Sequence, residues 1–182
     1  MGTKIHLLLH LAAEFEAFLR GPSNAWRRRE FRSLGVKFGE VISTRRHFKI
    51  HRPGGIQIGE RAAFGDYTQL MNFTRIEIAE DFLSAGNLII TTGQHDPLTL
   101  TPGAAAVKIG ARVWCGVNVT ILAGVVIGDD VVIGAGSVVN KDIPSNSVAA
   151  GVPARVLRPL DRSRVKQLWS EFRPCDEAQT NL

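Results

Sequence analysis

Large aromatic side chains are scarce in this sequence, and so are cysteines and long apolar runs. Aromatic residues make up 7% of the 182 residues, whereas glycine occurs 18 times, so a core has to be built mainly of aliphatic and small side chains. Two cysteines, Cys115 and Cys175, do not make the disulfide framework of a small secreted protein. We therefore expect one domain with regular aliphatic packing, located in the cytoplasm.

No stretch is long and apolar enough to predict a membrane-spanning helix. The best candidate, residues 5–19, is shorter than the roughly 20 apolar residues that cross a bilayer. Ionisable side chains interrupt it at His6, His10, Glu14 and Glu16. No small-residue cleavage site of a secretory signal follows it. Residues 1–22 instead predict an N-terminal amphipathic helix that ends near Gly21-Pro22.

Positive charge is concentrated in the first third of the chain. The net charge is +5, and the cluster consists of Arg20, Arg27, Arg28, Arg29, Arg32, Arg45, Arg46, Lys49 and Arg52. It can be a solvated face, or a surface that makes peripheral contact with a membrane or a lipid-linked glycan. Nucleic acid is disfavoured, because the cluster lacks interleaved aromatic side chains and no helix-turn-helix or zinc-finger pattern accompanies it. We predict that residues 23–53 form a basic connector and an irregular first coil.

A repeat with a period of six residues runs through the second half of the chain. Its units are Ile109-Gly-Ala-Arg-Val-Trp, Cys115-Gly-Val-Asn-Val-Thr, Ile121-Leu-Ala-Gly-Val-Val, Ile127-Gly-Asp-Asp-Val-Val and Ile133-Gly-Ala-Gly-Ser-Val. The first position is aliphatic or Cys, and the fifth is Val or Ser. The same register returns earlier at Ile58 and Phe64, and less cleanly at Ile78.

A period of six fits neither an amphipathic helix nor an alternating strand. It does fit a triangular coil in which each hexad forms one short strand and turns a corner. Parallel strands of successive coils then lie about 4.8 Å apart, with the first-position side chains stacked inside. Gly at the second position and small residues at the fifth suit tight corners, where a Cβ would collide or a positive φ is needed. Chance recurrence in a Val-rich sandwich is the alternative, and five consecutive hexads in register argue against it.

The sequence thus predicts an all-β solenoid, a parallel β-helix over residues 54–158, with helical extensions at both ends. Residues 159–182 predict a C-terminal helix and tail that caps the open end of the solenoid. Apolar side chains recur there at helical spacing, at Val165, Leu168, Trp169 and Phe172.

Three segments resemble the hexapeptide-repeat acetyltransferases, and most of all the sugar and polysaccharide O-acetyltransferases of the maltose and galactoside type. They are the run from Val113 to Asp130, the run Ile133-Gly-Ala-Gly-Ser-Val-Val-Asn-Lys-Asp-Ile-Pro, and Ala150-Gly-Val-Pro-Ala-Arg-Val-Leu-Arg. The resemblance implies a left-handed parallel β-helix that assembles as a homotrimer. It also implies that acetyl-CoA binds between neighbouring subunits, so that two chains share each site.

Residues 91–107 interrupt the repeat with a polar loop that begins Thr-Thr-Gly-Gln-His-Asp-Pro. The resemblance makes His95 the catalytic base, and an imidazole with an ordinary pKa near 6.5 can accept a hydroxyl proton at neutral pH. Without the surrounding motif, His95 would be read as an ordinary exposed loop histidine. Asp96 either orients the imidazole or forms the turn before Pro97.

The resemblance assigns further roles by position. A backbone N–H near Val117 stabilises the oxyanion of the intermediate. Acetyl-CoA contacts Ala135, Asn140, Lys141, Arg155 and Arg158. The cations among these suit phosphates, and the alternative is that they are surface charges at the end of the repeat domain. Trp114 lines the acceptor pocket or packs in the trimer interface.

The acceptor is less well defined by the sequence. The sugar-contacting Asn and Asp of galactoside-type enzymes fall on Gly65 and Phe73, which leaves Asn72 as a weak substitute. We expect acetyl transfer to a sugar hydroxyl in polysaccharide or cell-surface glycan biosynthesis. The alternatives are an acetyltransferase for a xenobiotic, antibiotic or amine, and a non-catalytic assembly module. No metal is expected, since a zinc carbonic anhydrase of similar shape needs three histidine ligands and every histidine except His95 precedes Ile56.

Overall fold

A computed structural model describes residues 24–40 and 42–161, which form one helix, α1 (Asn24–Ser33), and nineteen short strands. The strands of the first half are β1 (Lys37–Phe38), β2 (Ile42–Thr44), β3 (Lys49–Ile50), β4 (Ile56–Ile58), β5 (Ala62–Phe64), β6 (Gln69–Met71), β7 (Ile76–Ile78), β8 (Leu83–Ser84) and β9 (Ile89–Thr91). Those of the second half are β10 (Gly93–His95), β11 (Pro102–Ala104), β12 (Val107–Ile109), β13 (Trp114–Cys115), β14 (Thr120–Ile121), β15 (Val126–Ile127), β16 (Val131–Ile133), β17 (Val138–Val139), β18 (Ser147–Gly151) and β19 (Ala154–Pro159).

Successive strands belong in turn to three parallel sheets, which form the three faces of the molecule. Three successive strands, one on each face, make up one coil. Face A contains β1, β4, β7, β12 and β15, and face C contains β3, β6, β9, β14 and β17. Face B contains β2, β5, β8, β13, β16 and β18, with β19 added antiparallel at its end. The chain therefore winds as a triangular prism of about six turns. The predicted left-handed parallel β-helix is confirmed.

The hexad positions have distinct structural roles. First-position residues such as Ile109 and Ile133 are fully buried and stack along the axis, and the fifth position is buried as well, as in Val113 and Ser137. Second-position glycines lie against the next coil, because a Cβ on Gly59 would sit 2.6 Å from the backbone of Ala79. This confirms the expected collision.

Positive φ occurs at neither of the two expected positions. It falls on the fourth residue of each hexad, where the chain turns the corner. The residues concerned are Arg61, Tyr67, Asp81, Arg112, Asn118, Gly124, Asp130 and Gly136. Glycine at the second position is therefore needed for close packing against the next coil. The left-handed backbone conformation occurs at the fourth position, where most of the residues are polar.

The first coil is more regular than the sequence suggests. Residues 23–53 were expected to be a connector with an irregular coil, but the described part contains α1 and three strands that pair in register with the second coil. Coils one to three repeat every 20 residues, as Lys37 opposite Gln57 shows, whereas Lys108 opposite Val126 gives a repeat of 18. A repeat of 20 residues is not a multiple of six, so the six-residue pattern is interrupted once in each of these coils.

Helix α1 covers the open end of the first coil with an aromatic side chain. Phe31 is buried against Phe48, with 5.3 Å between ring centroids, and the stack continues inward through Phe64 to Phe82. This gives the prism the cap that a solenoid requires. The helices predicted for residues 1–22 and after Pro159 lie outside the described residues, apart from residues 159–161. Within the described part, no helix is long and apolar enough to cross a membrane.

Candidate active site

The extra residues of the long coils are all inserted at one corner of the prism, between faces C and A. We call this the C–A corner. It comprises residues 51–55 in the first coil, 72–75 in the second and 92–106 in the third. The third insertion is the polar segment that interrupts the repeat, and it forms an antiparallel hairpin of β10 and β11. Three consecutive enlarged turns therefore stand side by side along one edge.

Two buried polar side chains, 20 residues apart, hold these turns in place. Asn72 is 4% exposed; its Oδ1 accepts the Arg52 N–H at 3.0 Å, and its Nδ2 donates to the carbonyls of Arg52 and Gly54, each at 2.8 Å. Thr92 is fully buried, and its Oγ1 accepts the N–H groups of Phe73 at 2.8 Å and Thr74 at 2.9 Å. We call each of these two side chains a clamp, because its hydrogen bonds hold the backbone of the turn in the preceding coil.

Phe73 projects from the second turn and packs between its neighbours. The Arg52 guanidinium carbon lies 4.6 Å from the ring centroid on one side. The ring also lies so close to Gly93 that a Cβ there would be 2.6 Å from the Phe73 Cδ2. A side chain at position 93, two residues before His95, would therefore displace the Phe73 ring.

His95 ends β10 and pairs with Pro102 across the hairpin. Its side chain is exposed, as is the whole tip of the hairpin, where Leu98 is 92% and Leu100 is 72% exposed. Apolar side chains held so far out of a single chain are suited to contact with another surface.

Asp96 organises the tip of this hairpin. Its Oδ1 accepts the N–H groups of Leu98 at 2.9 Å and Thr99 at 2.8 Å, and the Thr99 hydroxyl at 3.1 Å. These hydrogen bonds, the backbone bond to Thr99 first, lower the pKa of Asp96 below its ordinary value. Of the two expected roles, these are the contacts of a turn former.

A cavity of about 630 Å³ lies between the three turns, open to solvent. It is lined by Arg52, Met71, Phe73, Thr91, Gly93, Gln94, His95, Pro102, Gly103 and Ala104. This volume is in the usual range for small-molecule sites. The lining combines an aromatic face, an imidazole and a guanidinium, and no carboxylate is present in it.

Val117, Ala135 and Arg155, three of the positions expected to handle the oxyanion and the cofactor, lie at another corner. Val117 and Ala135 are at the corner between faces B and C, on consecutive coils, where the Gly136 N–H donates to the Val117 carbonyl at 2.8 Å. Arg155 is opposite Ala150, near the same corner of the last coil. The full width of face C separates this corner from the hairpin of His95. One chain therefore does not bring the predicted site residues together.

The remaining predicted residues are spread over three places. Asn140 and Lys141 are exposed at the C–A corner of the fifth coil, and Arg158 is exposed opposite Val148 on face B. Trp114 is 45% exposed on the outer side of β13 and does not line the cavity. The Asn72 amide makes all three of its hydrogen bonds with the backbone of the first coil, so its observed role is structural. The sequence had suggested it as a sugar contact.

Thr92 and Gly93 were not identified as functional from the sequence. Arg52 was counted only in the basic cluster, and Phe73 only as a position where the sugar-contacting residue of galactoside-type enzymes is missing. The signal that could have revealed the corner is the 20-residue spacing of positions 52, 72 and 92 and of positions 73 and 93. Among the described residues there is no cluster of three or more metal-ligating side chains.

Comparison with known proteins gives consistent matches to this architecture. The profile described as bacterial transferase hexapeptide (six repeats) matches residues 106–141. In Escherichia coli strain K12, the protein named "putative colanic acid biosynthesis acetyltransferase WcaF" is 33% identical over 161 residues, which are 86% of this chain and 88% of that protein.

Solved structures of acetyltransferases also match the fold. The crystal structure of a maltose O-acetyltransferase from Clostridium difficile 630 superposes with a TM-score of 0.70 and 34% identity, over 80% of this chain and 82% of that one. A galactoside acetyltransferase in complex with coenzyme A gives a TM-score of 0.64 and 28% identity, over 85% and 80% of the two chains.

Proposed function

This chain belongs to the hexapeptide-repeat acetyltransferases, and from that membership we propose that it transfers the acetyl group of acetyl-CoA to a hydroxyl of a sugar. The similar proteins include enzymes named for maltose and galactoside, one of them with coenzyme A bound, and one named for colanic acid biosynthesis. We assign the acceptor to polysaccharide or cell-surface glycan assembly on that basis, and the reaction to the cytoplasm.

The observation that carries the proposal is the position of His95 at the rim of the cavity on the C–A corner. Here the imidazole can receive the proton of an acceptor hydroxyl while the oxygen attacks the thioester carbonyl. The resulting tetrahedral intermediate collapses to the acetyl ester and the CoA thiolate, which takes the proton back from the imidazolium. Phe73, which is 38% exposed, gives the cavity an apolar wall that a sugar ring can contact.

The two corners lead us to propose that the active site is completed by a second subunit. The oxyanion donor near Val117 and the cofactor positions Ala135 and Arg155 are at the B–C corner, out of reach of His95 in the same chain. A threefold ring would bring this corner of one subunit against the C–A corner of the next. The exposed Leu98 and Leu100 would then be covered at that interface.

The test of the base is a thiol-release assay with acetyl-CoA against sugars, oligosaccharides, nucleotide sugars and antibiotics. A positioned general base typically contributes about 10²- to 10⁴-fold, so His95→Ala should lower kcat by that range. His95 is exposed on a hairpin, so folding should be unaffected. Burial raises the pKa of the Cys115 thiol to about 12, which keeps that thiol out of the background signal.

A matched control is available in His47. It is exposed at the B–C corner of the first coil, three coils away from the fourth coil that carries Val117. Its ring lies 4.5 Å from the stacked ring of Tyr67, and its backbone has a positive φ that asparagine tolerates. His47→Asn should retain wild-type turnover while His95→Asn does not. Wild-type turnover in both His95 variants would contradict the assignment.

Subunit mixing tests the shared site. His95→Ala and Arg155→Ala proteins should each be nearly inactive alone. When they are unfolded together and refolded, mixed assemblies should contain sites with an intact His95 from one chain and an intact Arg155 from the next. Activity should then return. If the mixture stays inactive while size-exclusion chromatography with light scattering shows reassembled trimers, the shared site is wrong.

A further inference from the structure

We propose that Arg52 reads a negative charge on the acceptor, so that the substrate is an anionic glycan held along the C–A corner from the first coil to the third. The inference rests on the proposed function, since it names the acceptor class for the same cavity. It depends on four features of Arg52: its fixed backbone, its ring contact, its lack of a carboxylate partner and its distance from His95.

The backbone of Arg52 is held more firmly than an exposed loop residue usually is. Asn72 accepts its N–H and donates to its carbonyl, and the amide that does both is 4% exposed. The following residue is Pro53, whose ring restricts the backbone further. The side chain therefore starts from a fixed point on the cavity wall.

The guanidinium group is oriented by the Phe73 ring, 4.6 Å away. Stacking on a ring leaves the N–H groups at the edge of the guanidinium plane free to donate, and two of them match the oxygens of a carboxylate or phosphate. The other described arginines of the coils are often paired, as Arg46 is with Asp66, Arg61 with Asp81 and Arg112 with Asp130. Arg52 has no carboxylate partner among the described residues.

The cavity supplies no negative charge of its own. Its lining contains Arg52 and His95 but neither aspartate nor glutamate. The nearest carboxylate in sequence is Asp96, which is outside the lining and turned to the N–H groups of Leu98 and Thr99. A charged oxygen of the acceptor would form a stronger hydrogen bond with Arg52 than the hydroxyls of a neutral sugar can.

The spacing along the prism adds a requirement on acceptor length. Arg52 is on the first coil and the hairpin of His95 leaves the third, so two steps of about 4.8 Å separate their backbones along the axis, about 10 Å in all. The Arg52 guanidinium lies over Phe73 of the second coil, so one coil step still separates the charged group from the third coil. The anionic group and the reacting hydroxyl are therefore expected to be different groups of an extended molecule. An acidic oligosaccharide or a sugar carrying a phosphate at its far end meets this requirement.

The experiment measures initial rates with three acceptors: an oligosaccharide containing uronic acid, the same oligosaccharide after reduction of its carboxyl groups, and a sugar phosphate of similar length. Wild type, Arg52→Gln and Arg52→Lys are compared. Arg29→Gln is the matched control, because Arg29 is an exposed arginine of α1 that does not line the cavity. The uronate and phosphate arms distinguish the two sources of the anion.

We expect Arg52→Gln to raise KM for the anionic acceptor about tenfold or more, the effect of one charge-assisted hydrogen bond, with little change in kcat. Its KM for acetyl-CoA and for the reduced acceptor should be unchanged. Arg52→Lys should recover only part of the loss, since a lysine neither stacks nor binds two oxygens at once. The wild-type preference should weaken with added salt, as an exposed contact does.

Acceptor binding to the His95→Ala protein, measured by calorimetry without acetyl-CoA, separates this inference from the proposed reaction. Failure of acetyl transfer to every acceptor would reject the reaction and leave the binding measurement to judge Arg52. Equal binding of the anionic and reduced oligosaccharides by wild type, or an Arg52→Gln protein with unchanged acceptor preference, would overturn the role of Arg52. So would a rise in KM for acetyl-CoA alone, which would make Arg52 a cofactor contact.

Discussion

Thr92 offers a direct test of how the enlarged corner is held together. Its hydroxyl is fully buried and accepts the N–H groups of Phe73 and Thr74 from the preceding coil. Valine has nearly the same shape, so Thr92→Val leaves no cavity. The substitution removes the acceptor and leaves both amides in place.

The two amides do not lose equally. The Phe73 N–H keeps a second partner, the Met71 carbonyl at 3.2 Å, whereas Thr74 has no other backbone partner among the described residues. A buried donor without a partner costs about 1–3 kcal/mol. Phe73 is 38% exposed and Thr74 is half-buried, so water replaces part of what is lost. We expect a net destabilisation of about 1–2 kcal/mol, toward the lower end of that range.

Urea unfolding followed by circular dichroism measures the total effect, and amide hydrogen exchange locates it. A loss of 1.4 kcal/mol corresponds to about tenfold faster exchange where opening is local. Thr74 should show this acceleration more strongly than Phe73. Thr92→Ser, which restores the hydroxyl, should exchange nearly as wild type does. A Thr92→Val protein with wild-type stability and unchanged exchange at Thr74 would refute the clamp.

Three further outcomes follow from the same structure. Gly93→Ala should displace the Phe73 ring and lower acceptor turnover while the chain stays folded, and Phe73→Leu in the same protein should relieve the clash; unchanged kinetics of the single variant would contradict the close contact. Ser84→Ala should raise the free energy of unfolding by about 1 kcal/mol, and the melting temperature with it, because the buried Ser84 hydroxyl has no hydrogen-bond partner in the described part of the chain. A lower melting temperature would show that a partner exists. Asp96 should titrate below its ordinary pKa, so the turn it forms is complete above about pH 4 and lost only as the pH falls through the lowered value; an NMR titration with a midpoint at or above about 3.9 would disagree.

The prism can be predicted from the sequence because the buried positions recur with a fixed period. Aliphatic side chains at positions such as Ile109, Ile121 and Ile133 must point inward on each short strand, and the period of six follows directly. The interruption at residues 91–107 is visible for the same reason, since a regular register makes any insertion conspicuous. The role of His95 within that insertion stays a prediction.

The first two coils are less clear in the sequence, because two extra residues at one corner lengthen their repeat from 18 to 20 residues. The clamps at Asn72 and Thr92 are 20 residues apart, in step with that longer period. They are difficult to recognise in the sequence because they are residues of different types. The separation of His95 from Val117 is also invisible in the sequence. It depends on which of three corners each residue occupies, and that requires the exact length of every turn between them.

The corner placement explains how such a prism can gain an acceptor site at all. Residues added within a face would break the parallel ladder that stacks the coils, whereas residues added at a corner leave every strand in register with its neighbours. Three adjacent insertions then build a wall without disturbing the core, and the clamps supply the hydrogen bonds that the longer turns lack. The proposed base is on the third coil and Arg52 is on the first. Acceptor recognition can therefore change at the first two turns while the hairpin that carries His95 keeps its position.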